Sequence, residues 1–135
     1  MENPTLQILK GDQINYFWIC VISDHILYAG GNRSRIDQWN YRTGEIIAQF
    51  EIPESSSTTQ GIFYEPKNWL IVASALPYSL FIDIESNQIV GKGLQHSFRV
   101  AKNILLSKHL LASGDTKNTI RFCNLEQRIP TRKPF

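Results

Sequence analysis

The chain has 135 residues, 42% apolar and 19% charged, with 14 Lys and Arg against 12 Asp and Glu and a net charge of +2. That balance fits one folded domain rather than a disordered chain, and near-neutral charge argues against a nucleic-acid or membrane-surface protein. No apolar run approaches the roughly 18 residues of a membrane helix. Met1-Glu2-Asn3-Pro4 lacks the basic and apolar regions of a secretory signal, and two cysteines make no disulfide framework, so a cytoplasmic setting is expected.

Helical periodicity is scarce. Short stretches rich in Val, Ile, Phe, Tyr and Trp are instead cut at intervals by Gly, Asn, Asp, Ser and Pro, which predicts strands and tight turns. In chain order the expected strands are 6–9, 16–22, 26–29, 35–41 and 45–52. A polar linker, 53–59, precedes strands at 61–64, 70–74, 79–84 and 89–93, and the last set is 98–106, 110–113 and 119–125. Connections of two to five residues suit antiparallel hairpins and leave no room for a parallel crossover helix. Thr43-Gly44 is read as a turn in which Gly supplies a positive φ.

Self-comparison shows a repeat. An offset of 84 residues lays Ile36-Asp37-Gln38-Trp39-Asn40 on Ile120-Arg121-Phe122-Cys123-Asn124, and Ile26-Leu27-Tyr28-Ala29-Gly30-Gly31 roughly on Leu110-Leu111-Ala112-Ser113-Gly114. A middle copy, Leu70-Ile71-Val72-Ala73-Ser74 with Leu80-Phe81-Ile82-Asp83, falls near half that offset. Three copies of about 42 residues, each holding about four short strands, have the period of propeller blades.

On these residues the chain resembles the WD-repeat β-propeller family, whose third blade strand ends in an aromatic followed by Asp or Asn. The matching pairs are Trp39-Asn40, Ile82-Asp83 and Cys123-Asn124. The resemblance implies an all-β fold of propeller-type blades, each of four antiparallel strands. It makes 1–135 a single partial propeller, with repeats at about 12–52, 53–94 and 95–129 and residues 1–11 as a closing strand. It also implies a blade-stiffening set of His, Ser, Asp and Trp. In the third copy His96 and Ser113 match, whereas Lys117 stands at the acid's position and Cys123 at the tryptophan's. Gly11-Asp12 takes the corresponding lead-in position of the first copy. Tyr28-Ala29-Gly30-Gly31 with Thr43-Gly44-Glu45 is also partly similar to pyrroloquinoline-quinone propellers, which makes a quinoprotein-like enzyme or sensor fragment the alternative function, although three blades cannot build that cofactor's pocket.

Period-2 alternation puts Ile36, Gln38 and Asn40 on one face of their strand and Asp37, Trp39 and Tyr41 on the other, with Trp39 expected to fill the space between blades. Chemistry-bearing constellations do not emerge. His25, His96 and His109 lack a second ligand at metal spacing, and Cys20 and Cys123 read as small core residues. Asn32-Arg33-Ser34 reads as a hairpin turn. No phosphate loop, nucleophile elbow or zinc spacing occurs, so neither catalysis nor a cofactor is expected.

By carry-over from the family, partner-binding candidates are Asn32, Arg33, Arg35, Pro77, Tyr78, Lys117 and Asn118, in the loops that often grip partners. The expected function is a non-catalytic protein–protein interaction module with protein partners. Three blades are too few to close a ring, so the chain is expected to complete a propeller as a homodimer or on another protein, or to be part of a longer one.

Overall fold

The computed structural model describes residues 8–52 and 57–127. They form three antiparallel sheets joined in chain order, with two single 3-10 turns, Glu65–Lys67 and Leu125–Gln127, as the helical content. The first sheet pairs β1 (Tyr16–Val21), β2 (Ile26–Gly31), β3 (Arg35–Asn40) and β4 (Glu45–Glu51) in sequence order. The second pairs β5 (Thr58–Tyr64), β6 (Trp69–Ser74), β7 (Leu80–Asp83) and β8 (Gln88–Lys92) in the same way. The third pairs β9 (Val100–Leu105), β10 (Leu110–Asp115) and β11 (Ile120–Asn124). No closed barrel is formed among the described residues.

The expected strand set is therefore present, with local differences. Residues 8–11 are not in a strand, and residues 1–7 of the expected closing strand lie outside the described residues. Thr58 and Thr59, read as linker, belong to β5, where Thr58 is buried under the indole of Trp18. The strand expected from 98 starts at Val100, because the backbone of 93–99 is drawn onto the second sheet: His96 N–H donates to Pro77 O at 2.7 Å and Val100 N–H to Leu76 O at 2.9 Å. Gly44 turns β3 into β4 at φ 78°, as expected. Residues 128–129 of the third repeat and the linker residues 53–56 lie outside the described set.

The sheets pack face to face, with β1 against β5 and β5 against β9. One core lies between the first and second sheets and joins Trp18, Tyr28, Ile36 and Ile52 to Leu70, Val72, Leu80 and Ile82. The other lies between the second and third sheets and joins Tyr64, Trp69, Ile71 and Phe81 to Leu111, Cys123 and Leu125. Alternation along a strand explains the division: even positions of β6 face the first sheet and odd positions the third. Because the second sheet is covered on both faces, all six residues of β6 are buried and its sequence, WLIVAS, is a near-continuous apolar run.

Trp18 is the tryptophan wedged between the first and second sheets. Its ring lies over Gly30 and Gly61, where an added Cβ would stand 2.6 Å from ring atoms, and its Nε1–H donates to Thr58 Oγ1 at 2.8 Å. Trp39, expected in that role, is buried elsewhere. The alternation of β3 is as read from the sequence, but Ile36 is the residue that faces the second sheet, so Trp39 lies on the opposite face of the first sheet and donates to Tyr16 Oη at 3.1 Å. Trp18 fills the space between the first two sheets because it stands on β1, the strand that packs against β5, and so reaches Gly61 of the next sheet.

Candidate functional site

The partner-binding candidates are seven residues on three separate hairpin turns, so whether they form one surface depends on how the sheets align. Trp18 and Thr58 join the start of β1 to the start of β5, and Thr59 Oγ1 donates to Ala101 O at 3.4 Å near the starts of β5 and β9. The β2–β3, β6–β7 and β10–β11 turns consequently sit at one end of the stack, beside the segments that lead into β1, β5 and β9.

Each turn is tied down locally. In the first, Asn15 N–H donates to Asn32 Oδ1 at 2.8 Å, Asn32 N–H returns to Asn15 O, and Arg33 Nε donates to Gln13 O at 2.9 Å. In the second, Pro77 is held by His96, and Tyr78 carries the Lys92 ammonium 4.5 Å from its ring centroid. In the third, Asp115 Oδ1 accepts the backbone N–H groups of Lys117, Asn118 and Thr119 at 2.9–3.2 Å, while Lys117 Nζ lies 5.4 Å from the Phe98 ring. Asn32, Arg33, Lys117 and Asn118 are exposed, and Pro77 and Tyr78 are half-buried.

Arg35 differs from the other six. Its guanidinium grips Asp37 through Nε at 2.7 Å and a second nitrogen at 3.1 Å, and also reaches Asp12 O. The Asp37 side chain is fully buried and also accepts from Tyr16 and Gln49. Hydrogen bonding to Asp37 raises the Arg35 pKa above its ordinary value, and burial with the Asp37 bond pushes the Tyr16 hydroxyl up to about 12. Arg35 holds the fold rather than extending from it.

The His96 and Ser113 positions form a hydrogen-bonded set. His96 is buried, with Nε2 2.9 Å from Ser113 Oγ and Nδ1 3.1 Å from Asp115 Oδ2. The acid is Asp115, two residues before Lys117, because the side chain that reaches His96 stands at the end of β10 and Lys117 points out of the turn. Burial alone would raise the Asp115 carboxyl, but the backbone N–H groups of Lys117 and Thr119, His96 and the Asn118 N–H together hold it below the ordinary 3.8. Cys123 is 4% exposed and packs in the core between the second and third sheets.

Asn40, Asp83 and Asn124 share a role that the motif did not specify. Each side-chain oxygen accepts a backbone N–H just beyond its strand: Asn40 from Arg42 and Thr43, Asp83 from Ser86, and Asn124 from Glu126.

Among the described residues no group of three or more His, Cys, Asp and Glu is placed to hold a metal ion. No helix is long and apolar enough to cross a membrane.

No protein-family model matches the sequence, and no curated protein does. Solved structures match in number, with 533 chains, so the fold is common and by itself selects no function. Among them is the crystal structure of the computationally designed Ika4 protein, similar at a TM-score of 0.74 and 20% identity over 93% of this chain and 75% of that one. At that identity the likeness is one of fold alone.

Proposed function

We propose that this chain is a non-catalytic protein-interaction module of the WD-repeat propeller kind, its three sheets serving as blades. The observation that carries the proposal is the gathering of Asn32, Arg33, Pro77, Tyr78, Lys117 and Asn118 at one end of the stack, on turns whose backbones are already hydrogen-bonded. Such a surface loses little conformational entropy on binding, and Arg and Tyr are frequent interface anchors. The caps at Asn40, Asp83 and Asn124 and the His96–Ser113–Asp115 set support the blade reading. Arg33, Lys92, Arg99 and Lys117 outnumber Asp12 and Glu51 at this end, which favours partner segments carrying acidic side chains.

The test replaces Arg33, Tyr78 and Lys117 by Ala together and leaves Arg35 in place. Proteins captured by the wild-type chain should be recovered at least tenfold less by the triple variant, with an unchanged far-UV spectrum. Undiminished capture would move the binding surface elsewhere.

A further inference from the structure

Both observed sheet contacts have the same polarity: the face that a sheet turns toward its successor meets the back of the next sheet. Among the described residues two sheet faces have no neighbouring sheet, and they are opposite in kind. The third sheet presents a front face, in which Ile104, Ala112 and Phe122 form one registered row and Lys102, Gly114 and Ile120 the next. The first sheet presents a back face, with one row of Ile19, Ala29, Asp37 and Gln49 and another of Val21, Leu27, Trp39 and Ile46.

Both faces carry exposed apolar side chains, although on the first sheet they surround Ala29, Asp37 and Trp39, which are buried. Ile104, Leu106, Ile120 and Phe122 are 55–66% accessible on the third sheet, and Ile19 and Val21 are 66% and 56% accessible on the first. Strand alternation normally places polar residues on a solvated face, and patches of this kind are uncommon on monomers. Their shapes also match. Small residues on β10, Ala112 and Gly114, leave a hollow of about 390 Å³ between the flanking Ile104, Leu106, Ile120 and Phe122, and nothing stands within 4 Å of the place of a Gly114 Cβ. The first sheet offers projecting Ile19, Val21 and Ile46, with Ile47 beside them in a bulge.

We infer that the third sheet's front face docks on the first sheet's back face of a second copy, and reciprocally, so that two copies close on each other. The contact continues the packing present twice within the chain. Trp18, Gln60 and Lys102 recur at the same repeat spacing on β1, β5 and β9. The first reaches across to Thr58 Oγ1 and the second accepts from Asn103 N–H, each on the next sheet. Lys102 is the third of the series, and Tyr16 occupies in the first repeat the place of Thr58. Lys102 is thereby directed to the Tyr16 position of the second copy. Strands about 20 Å long and about 4.8 Å apart make a face of roughly 300–400 Å², so four such faces in a closed pair bury about 1,200–1,600 Å², the range of stable interfaces. The inference stands on the sheet faces and not on the partner-binding turns.

Light scattering of the wild-type chain is expected to give twice the 15.5 kDa chain mass. Phe122→Lys and Ile19→Glu should each give the single-chain mass with an unchanged far-UV spectrum, since both side chains are exposed. Ile104→Lys and Val21→Glu stand in should either variant fail to fold. Mixing Phe122→Lys with Ile19→Glu should restore the double mass, because one contact of the mixed pair is unaltered and the other sets Lys against Glu. A wild-type chain at the single mass would overturn the inference and assign the faces to another occupant. A pair that survives Ile19→Glu, or that mixing does not restore, would overturn the front-to-back arrangement.

Discussion

The wedge of Trp18 between the first two sheets can be tested as a pair with the glycine beneath it. Trp18 is 8% exposed and lies over Gly61, where a methyl would meet its Cη2 at 2.6 Å. Trp18→Ala removes a buried indole and leaves Thr58 Oγ1, itself fully buried, without its donor, at a cost of about 3–5 kcal/mol. Gly61→Ala alone forces a rigid ring to move and costs about 1–3 kcal/mol by overpacking. In the double variant the ring is gone, and Gly61 has no positive φ to forbid Ala. The second substitution should then be neutral or gain a few tenths of a kcal/mol. The cycle therefore predicts a coupling of about 2 kcal/mol, read by urea denaturation followed by far-UV circular dichroism. Additive effects, or a Trp18→Ala loss below about 1 kcal/mol, would refute the packing described here.

Other perturbations separate neighbouring residues by role. Arg35→Ala strands the buried Asp37 carboxylate and should cost about 3–5 kcal/mol, while exposed Arg33→Ala should stay within about 0.5 kcal/mol in the same denaturation assay. Asp115 has a depressed folded-state pKa, so its contribution is complete above the ordinary carboxylate value of 3.8 and is lost as pH falls through the lower folded value. Melting temperatures across pH 2–6 should show that acid-side loss in the wild type and a flatter profile in Asp115→Asn. Burial raises the Cys20 thiol to about 11 from 9.0, which cuts its thiolate about 100-fold at pH 8. Alkylation by iodoacetamide, followed by mass spectrometry of the Cys20 peptide, should slow at least that much relative to an unfolded control.

Much of this molecule follows from local chemistry. Strand positions are set by β-branched and aromatic runs between turn-forming residues, and the turn at Thr43-Gly44 by the need for positive φ, so both could be read without tertiary information. Asn40, Asp83 and Asn124, matched to one another by like character and spacing in the sequence, each cap the backbone just beyond a strand. The faces of β3 were also legible, because side-chain alternation is a property of the strand itself. What alternation cannot state is which face meets a neighbour. That choice belongs to sheet packing, and it placed Trp18 rather than Trp39 between sheets. The same limit hid the acid of the His96 set: motif spacing pointed to Lys117, while side-chain reach at the end of β10 selected Asp115. Arg35 and Arg33 look alike in sequence, and only the tertiary structure turns one onto a buried carboxylate and leaves the other at the surface. Local order writes periodicity and turn chemistry into the chain; the partner of each face is decided by contacts between residues far apart in it.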